Sequence, residues 1–487
     1  METLDISSID INAAKLLDYE YANRYAVLPI KRDNNHLWVA TEEPDNLSIV
    51  ADIASLTGMF IIPVFAYAAE IHHAIAQTLA PQALNTIETQ FLVDARLDEL
   101  AENPQLLAEI SSAPAVRLID SIIETGIINR ASDIHIEPHG NGLRTRCRID
   151  GKLYTYNYVD LSLLPNVVSR LKIIGGMDIS EKRRPQDGRF TMSVHGQKIE
   201  FRLSTLPTAF GEKAVIRMLY DEAGRLSKTE LGFFDDDLQE LTELFHKPHG
   251  AIFMTGPTGS GKSTTLNSFM TELNREGRNI VTVEDPVENP IVGVNHVNVD
   301  RAAGYSFATM LRHILRQDPD VIMIGEIRDE ETVRIAIQAA LTGHVVLSTL
   351  HTNDAAGVIE RLLDMGIEPY LAASALSGVI SQRLVRRICN DCKDTALPTP
   401  HQAATLEIPE STEVFAGSGC VSCENTGYKG RLAIYEYIIM TDDMSREMSQ
   451  TPYEFADRLR KSSTIKQNAL RHLRKGNTTI EEIIELF

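Results

Sequence analysis

A stretch near the middle of the chain has the residue types and spacing of a phosphate-binding loop. Residues 256–263 match G-x-x-x-x-G-K-[ST] at every fixed position, and their flanks predict a buried strand before the loop and a helix after it. Glycines let backbone N–H groups converge on an anion, Lys262 adds a positive charge, and Ser263 offers a hydroxyl to Mg²⁺. A glycine-rich turn that matches by chance is disfavoured because both flanks fit. The predicted nucleotide-binding residues are Gly256, Pro257, Thr258, Gly259, Ser260, Gly261, Lys262, Ser263 and Thr264.

Three apolar stretches downstream each end in a side chain that can act on a bound phosphate, namely Glu284, Glu326 and His351. If these stretches are strands of one parallel sheet, their carboxyl ends share the edge that carries the phosphate loop. Glu284 is then the expected base for the attacking water, and Glu326 is the expected Walker B acid, acting on Mg²⁺ through a water. His351 is expected to sense the terminal phosphate by a hydrogen bond. Two simpler interpretations stay open: an acidic turn that starts at Asp285, and a histidine that belongs to the core.

A predicted strand upstream of the loop carries three arginines. Strand alternation over residues 143–149 places Arg144, Arg146 and Arg148 on one face. One interpretation is a solvated face whose charge is balanced by acidic residues of neighbouring strands. The other is that this face meets the nucleotide phosphates of a neighbouring subunit. In that case Arg146 and Arg148, which lie nearest the following turn, are the candidates to reach the phosphates.

Four of the five cysteines form two C-x-x-C pairs late in the chain. Cys389 with Cys392 and Cys420 with Cys423 have the spacing of two knuckles that supply four thiolates to one tetrahedral Zn²⁺. Disulfides are the alternative, and a cytosolic location disfavours them. Four protein ligands leave no open position on the metal, so the predicted zinc site is structural.

Length and charge limit the possible functions. A chain of 487 residues is too long for one core, and its net charge of −20 argues against a protein whose main task is to grip nucleic acid. The acidic N-terminus lacks the basic start of a secretory signal, and the longest apolar run, residues 59–69, is too short for a membrane helix. We expect a cytosolic protein that reaches a membrane only through partners.

The order of patterns along the chain predicts an α/β protein. Residues 1–80 alternate short helical and strand patterns and are predicted to form a small α/β docking domain, followed by a linker over residues 81–104. Residues 105–228 are predicted to form an α+β (PAS-like) second domain. Residues 229–487 alternate strands with helices, the pattern of a RecA-like P-loop ATPase domain, which includes a zinc-binding subdomain at 386–430.

These motifs together resemble those of the secretion ATPases that serve type II secretion systems and type IV pilus assembly. The resemblance covers residues 112–487 closely and the first domain loosely. It rests on the phosphate loop, the strands that end in carboxylates or histidine, a basic loop and the paired cysteines: residues 256–263, 284–286, 325–329, 343–351, 184–189, 389–392 and 420–423. Pilus-retraction ATPases are similar but lack the cysteine insert.

The resemblance implies a hexamer in the cytoplasm, at the inner face of the inner membrane, whose subunits change shape on ATP hydrolysis and drive assembly of a pseudopilus or pilus. Its implied partners are an inner-membrane platform protein and the cytoplasmic domain of a membrane-anchoring protein. Carried over residue by residue, Lys262 and Ser263 bind phosphates and Mg²⁺. Glu284 activates water and Glu326 is the Walker B acid. Arginines of the second domain would reach the next subunit's nucleotide.

Type II secretion is the leading function that this resemblance implies. Extension of a type IV pilus is the nearest alternative, because the motor motifs are common to both machines. A RecA-like motor acting on DNA is more remote, since the acidic balance of the chain opposes it. Some relatives carry an N-terminal arginine- and leucine-rich motif for cyclic dinucleotides. Residues 1–80 do not contain that motif, so the sequence gives no support for such regulation.

Overall fold

The structure is a computed structural model of the 487-residue chain. It describes residues 9–78 apart from 18–20, 23–24, 34–35, 45, 68–69, 72–73 and 76–77; residues 118–220 apart from 141 and 195–196; and residues 227–487 apart from 301–302. The predicted linker over residues 81–104 lies outside the described residues, as does the predicted start of the second domain. The chain divides into two compact units, Met1–Tyr220 and Asp221–Phe487.

The first unit begins with a small α/β arrangement. Its elements are α1 (Ile11–Ala14), β1 (Val27–Asp33), β2 (His36–Thr41), α2 (Leu47–Thr57) and β3 (Phe60–Phe65). The strand order is β1-β2-β3, with β1 antiparallel and β3 parallel to β2. At the start of α2 the Asn46 side chain accepts a hydrogen bond from the Ile49 N–H, and α2 ends at Gly58 in the left-handed conformation. The small N-terminal α/β domain predicted from the sequence is therefore present.

A six-stranded antiparallel sheet forms the rest of the first unit. Its elements are α3 (118–128), β4 (Asp133–His139), β5 (Gly142–Ile149), β6 (Lys152–Asp160), α4 (Leu164–Ile174), β7 (Gln186–Val194), β8 (Gln197–Thr208) and β9 (Gly211–Leu219). The strand order is β6-β5-β4-β9-β8-β7, and both helices share one buried core with the sheet. In β5, Thr145 and Cys147 face that core, whereas Arg144, Arg146 and Arg148 lie half-buried on the other face.

The second unit alternates strands with helices. Its first elements are α5 (Asp235–Phe245), β10 (Gly250–Thr255), α6 (Lys262–Leu273), β11 (Ile280–Glu284), β12 (Asn295–Asn298), α7 (Phe307–Ile314), β13 (Val321–Ile324), α8 (Glu330–Leu341), β14 (Val345–Leu350), α9 (Ala356–Asp364), α10 (Pro369–Ala375) and β15 (Leu376–Ile388). The remaining elements are β16 (Lys393–Ala396), α11 (Pro400–Leu406), β17 (Val414–Gly417), β18 (Tyr428–Ile439), α12 (Asp442–Gln450), α13 (Pro452–Lys461), α14 (Ile465–Arg474) and α15 (Ile480–Ile484).

A seven-stranded sheet organises this unit, in the order β12-β11-β13-β14-β10-β15-β18. Every neighbouring pair is parallel except β15 with β18. Alternate residues of β10 enter two different cores. Ala251 and Phe253 pack with α7, α8 and α9, whereas Ile252 and Met254 pack with α5 and α6. Burial on both faces is why the central strands are continuous apolar runs in the sequence.

The end of β15 leads into the segment that carries the paired cysteines, residues 389–423, which we call the cysteine subdomain. Two short strands, β16 and β17, pair antiparallel there, and α14 and α15 pack beside them. The guanidinium of Arg386, in β15, donates two hydrogen bonds to the Glu482 carboxylate in α15, at 2.8 and 3.0 Å, and lies 3.7 Å from the centre of the Tyr428 ring. This buried ion pair joins the C-terminal helices to the main sheet.

The fold class predicted from the sequence is confirmed. The second unit is a RecA-like parallel α/β domain, and the first unit contains a small α/β part and an α+β part. Among the helices in the described part of the chain, none has the length and apolar character that crossing a membrane requires.

We predict that Gly188→Ala lowers the stability of the first unit. Gly188 lies in β7, and a Cβ there would sit 2.3 Å from the carbonyl oxygen of Gly175 at the end of α4. Such overpacking costs about 1–3 kcal/mol, equivalent to a fall in Tm of roughly 2 to 10 °C. Differential scanning calorimetry of the full chain measures it. The exposed Thr191 of the same strand supplies the control, Thr191→Ala, which should change Tm by less than about 2 °C. Equal shifts for the two variants would contradict the prediction.

Candidate active site

The phosphate loop connects β10 to α6, as its sequence predicts. Gly256, Gly259 and Gly261 have φ angles of 142°, 78° and 84°, which favour glycine. Gly261 is the residue that precedes α6, so Lys262 and Ser263 occupy the first turn of that helix. Ser263 is exposed, and the positive end of the α6 dipole faces the loop. The loop therefore has the geometry of an anion-binding helix N-terminus.

A buried glutamine on the neighbouring strand holds the loop in this shape. The Gln382 side chain, in β15, donates to the carbonyl of Ser260 at 2.7 Å and accepts from the hydroxyl of Thr265, in α6, at 2.9 Å. A Cβ on Gly256 would lie 2.2 Å from the backbone carbonyl oxygen of Gln382. Sequence reasoning missed Gln382, because one glutamine in an apolar strand far along the chain forms no motif. The one hint in the sequence is the polar side chain itself. Burying an amide in a strand costs free energy unless the amide is hydrogen-bonded, so a glutamine there indicates specific partners.

The Lys262 ammonium group is directed at the loop. Its Nζ donates hydrogen bonds to the carbonyl oxygens of Gly256 at 2.8 Å and Pro257 at 3.0 Å. Burial lowers the pKa of Lys262, and the nearby Glu326 carboxylate opposes that shift. Terminal phosphates of a nucleotide would compete with the two carbonyls for this cation.

Glu326 lies just beyond the end of β13, between two cationic or potentially cationic groups. Its Oε1 is 2.5 Å from the Arg328 guanidinium, and its Oε2 is 3.5 Å from Nε2 of His351. The hydrogen bond from Arg328 to Glu326 raises the pKa of Arg328. The His351 side chain is half exposed, so it does not belong to the core. The structure thus brings two of the predicted site residues, Glu326 and His351, together.

The strand that ends before His351 is tied to the strand that enters the phosphate loop. The Thr255 hydroxyl donates to the carbonyl oxygen of Thr352 and accepts from the Thr352 N–H, both at 2.9 Å. The Thr349 hydroxyl donates to the carbonyl of Gly325 at 2.6 Å. These bonds link the carboxyl ends of β10, β14 and β13.

Glu284 is the last residue of β11 and is mostly buried. Its Oε1 accepts from the Thr282 hydroxyl at 2.7 Å and lies 2.9 Å from Nδ1 of His296, in β12. Because β11 runs parallel to β13 and β14, Glu284 leaves the sheet at the edge that carries Glu326 and the phosphate loop. Sequence reasoning did not identify His296, which lies in a short edge strand with no local pattern.

The arginine face of β5 is paired within its own sheet. The Glu137 carboxylate, in β4, accepts two hydrogen bonds from Arg146, at 2.9 and 3.1 Å, and one from Arg144 at 3.1 Å. Burial raises the pKa of Glu137, but hydrogen bonds from Arg146 and Lys213 outweigh it and lower that pKa to about 2. Arg148 donates instead to the carbonyl of Gly151 at 2.7 Å, in the turn after β5. The geometry agrees with a charge-balanced face, and the delivery of these arginines to a neighbouring subunit stays a prediction.

The four paired cysteines converge. Their sulfur atoms all lie within 4.8 Å of one another, and the pairs Cys389–Cys420, Cys392–Cys423 and Cys420–Cys423 are each 3.7 Å apart. Four sulfurs at about 2.3 Å from one tetrahedral zinc ion would be about 3.8 Å apart. The cluster therefore fits a closed Zn²⁺ site. Cys147 lies in the core of the first unit and is not part of the cluster.

Two thiols of this cluster have pKa values shifted in opposite directions. Burial raises the pKa of Cys392 to about 12. Burial also acts to raise the pKa of Cys423, but backbone N–H groups of Cys420 and Gly427 donate to its sulfur, and its pKa falls to about 7. A metal ion binds thiolates, so zinc binding would release the proton from the Cys392 sulfur, whose pKa is raised.

Two family models match the chain. One, described as Type II/IV secretion system protein, matches residues 108–485, and the other, described as MshEN domain, matches residues 1–83. The first match covers the α+β part of the first unit and all but the last two residues of the second unit, and so includes the candidate site.

Similar proteins extend the comparison. The type II secretion system protein E of Pectobacterium carotovorum subsp. carotovorum is 39% identical over 493 residues, which is 99% of this chain and 99% of that protein. The type IV pilus assembly ATPase PilB of Myxococcus xanthus (strain DK1622) is 40% identical over 491 residues, 98% of this chain and 87% of that protein. A crystal structure of the pilus retraction motor PilT with bound ADP aligns with a TM-score of 0.51 and 28% identity, over 75% of this chain and 96% of that chain.

The family match, the end-to-end similarity and the phosphate loop at the edge of a RecA-like sheet agree with the resemblance found in the sequence. The chain belongs to the type II/IV secretion system protein family, and it is an ATPase that acts on ATP.

Proposed function

We propose that this ATPase works as a homohexamer that drives pseudopilus assembly, and thereby protein export, in a type II secretion system. The observation that carries the proposal is the similarity to a type II secretion system protein E across 99% of both chains. In this proposal the ATPase is cytoplasmic and peripheral to the inner membrane. Its partners there are a platform protein of that membrane and the cytoplasmic domain of a membrane-anchoring protein.

Each residue at the sheet edge has a role in the proposed reaction. The phosphate loop would bind the triphosphate, with Lys262 at the terminal phosphates and the Ser263 hydroxyl available to hold Mg²⁺. Glu284 would accept a proton from the attacking water, whose oxygen bonds to the γ-phosphorus as the bond from that phosphorus to the β,γ-bridging oxygen breaks. ADP leaves with the electron pair of the broken bond, and inorganic phosphate is the other product. Glu326 would hold a water bound to Mg²⁺, and His351, which lies 3.5 Å from Glu326, would sense the γ-phosphate. When nucleotide binds, Lys262 would exchange the loop carbonyls for phosphate oxygens, and Glu326 would exchange the Arg328 guanidinium for the metal-bound water.

Extension of a type IV pilus is the second candidate. It is favoured by the 40% identity with the pilus assembly ATPase of Myxococcus xanthus over 98% of this chain. Deletion of the gene in its own organism separates the two functions. Loss of exported enzymes with intact pili supports the type II assignment, whereas loss of pili with normal export supports the pilus assignment.

A structural zinc ion is proposed for the cysteine cluster. The sulfur separations of 3.7 Å support it, because they match the edge of a ZnS₄ tetrahedron. Four thiolates would close the metal to water, so the ion would hold the subdomain together and take no part in hydrolysis. Cys389 directly follows β15, so the ion would also anchor the end of that strand.

An arginine delivered by a neighbouring subunit is proposed to complete the active site. Of the two candidates, Arg148 is the less constrained, because its guanidinium contacts a turn carbonyl and lies 3.8 Å from the Asp133 carboxylate. Arg146 is held by two hydrogen bonds to Glu137 and would have to leave them. We therefore favour Arg148 as the side chain that reaches the neighbour's phosphates.

A second prediction concerns the catalytic roles. Lys262→Ala and Glu326→Ala should each lower kcat for ATP by about 100-fold or more. The first removes the cation that stabilises charge on the transferred phosphoryl group, and the second removes the carboxylate that holds the metal-bound water. Glu284→Gln should lose turnover equally but still bind a fluorescent ATP analogue, as should Glu326→Ala. Glu410→Gln, an exposed carboxylate of the cysteine subdomain, is the matched control with normal turnover. Normal turnover in Glu284→Gln would remove Glu284 as the base.

A third prediction concerns the metal. Protein purified without chelator should contain one zinc per chain by atomic absorption. Replacing both Cys389 and Cys392 with serine should remove the zinc and unfold the cysteine subdomain, while ATP binding is spared. Cys147→Ala should keep one zinc per chain. Fresh protein without zinc would exclude the proposal.

A fourth prediction concerns the neighbouring subunit. Specific activity should rise with protein concentration as hexamers form, and Arg148→Ala should lower kcat by about 10³-fold. When Arg148→Ala and Lys262→Ala subunits are mixed, some interfaces join an intact loop to an intact arginine, so part of the activity should return. Mixed hexamers that form without recovery of activity, or full activity in Arg148→Ala and Arg146→Ala, would show that the arginines form only a charged face.

A further inference from the structure

The imidazole of His296 lies against the carboxylate that the proposed mechanism uses as base. His296 is on the edge strand β12, where it pairs with Thr282, and Glu284 is two residues farther along β11. Its Nδ1 is 2.9 Å from Glu284 Oε1. The two side chains are only 10% and 14% exposed, so water competes little for this contact.

The backbone determines which ring nitrogen of His296 carries the proton. The N–H of Ile291 points at Nε2 of His296, with a nitrogen–nitrogen distance of 2.9 Å. A backbone N–H can only donate, so Nε2 is the acceptor and the proton of the neutral ring is on Nδ1. That proton faces Glu284 Oε1, which makes His296 a donor to the carboxylate.

A second donor reaches the same oxygen. The Thr282 hydroxyl donates to Glu284 Oε1 at 2.7 Å and also lies 2.9 Å from Nδ1 of His296. Among the described residues no hydrogen bond to Oε2 accompanies these two. Both donors therefore fix one oxygen of the carboxylate and leave the other to face a water molecule. We infer that His296 is a positioning residue, which together with Thr282 holds Glu284 in the rotamer that directs Oε2 toward the attacking water.

His296 also connects the proposed base, Glu284, to the segment between β11 and β12. Ile291 belongs to the segment between β11 and β12, and the same segment is held at Val287, whose N–H donates to the Asn298 side chain at 2.7 Å. Asn274, at the end of α6, donates to the carbonyl of Val292 at 2.7 Å. His296 thus joins Glu284 to a segment that is anchored to the helix after the phosphate loop. This inference rests on the proposed role of Glu284 and adds the residue that orients it.

The test compares two replacements of similar size in the full-length protein. His296→Leu removes both hydrogen-bonding atoms, whereas His296→Gln keeps an N–H donor and a carbonyl acceptor at the end of the side chain. Misorientation of a reacting group costs up to about 100-fold, so His296→Leu should lower kcat for ATP by about 10- to 100-fold with KM within about twofold of the parent. His296→Gln should retain kcat within about threefold. Thermal unfolding and binding of a fluorescent ATP analogue show whether each variant is folded.

If His296→Leu does not fold, Thr282→Val provides the same test, because it removes the other donor while conserving shape. It should lower kcat with KM unchanged. A kcat within about twofold of the parent in a folded His296→Leu or Thr282→Val overturns the inference. So does an equal loss in His296→Leu and His296→Gln, which would mean that ring shape, and not hydrogen bonding, matters.

A double-mutant cycle separates this inference from the function on which it rests. If His296 acts through Glu284, adding His296→Leu to Glu284→Gln should lower kcat by no more than about twofold beyond Glu284→Gln alone. A further 10-fold loss would show that His296 acts by another route. Normal turnover in Glu284→Gln would instead remove the proposed base. Inactive Glu284→Gln together with fully active His296→Leu would leave the proposed function intact and overturn only the inference.

Discussion

Parallel pairing of the central strands is the constraint on which the active site depends. β11, β13, β14 and β10 lie side by side and run in one direction, so the residues that follow their carboxyl ends meet at a single edge. The register sets Ile324 beside Ser348 and Thr255 beside Leu350, which places Glu326 and His351 at nearly the same height. A slip of one residue would turn every side chain of a strand to the opposite core. The buried apolar faces on both sides of the sheet make such a slip costly, and this protects the geometry of the site.

Motifs within one short stretch of chain were predictable from the sequence. The phosphate loop needs glycine conformations, a lysine and a helix N-terminus within residues 256–263, so local spacing alone identifies it. Both C-x-x-C pairs are local in the same sense, and the structure brings their four sulfurs together. The apolar runs that end in Glu284, Glu326 and His351 could also be recognised as strands, because a strand buried on both faces shows no alternation of polar and apolar residues.

Contacts that depend on strand order were not predictable. Gln382 acts on the phosphate loop only because β15 pairs with β10, and His296 contacts Glu284 only because β12 pairs with β11. Neither pairing leaves a signal in the sequence near these residues. The arginines of β5 show the same limit. Alternation placed them on one face, but the neighbouring strand supplies Glu137, whose hydrogen bonds decide where Arg144 and Arg146 point.

The length of β15 has a mechanical consequence. This strand touches the phosphate loop through Gln382 at its middle and ends at Ile388, about 20 Å farther along at about 3.3 Å per residue and directly before Cys389. Antiparallel pairing with β18 extends over nearly the whole of this distance, and the Arg386–Glu482 ion pair fastens the far end to the C-terminal helices. A hydrogen-bonded pair of strands resists stretching, so the two ends of this part of β15 are mechanically connected. A displacement of the loop along β15 when phosphates bind or leave would therefore also reach the cysteine subdomain, which is joined to the end of that strand.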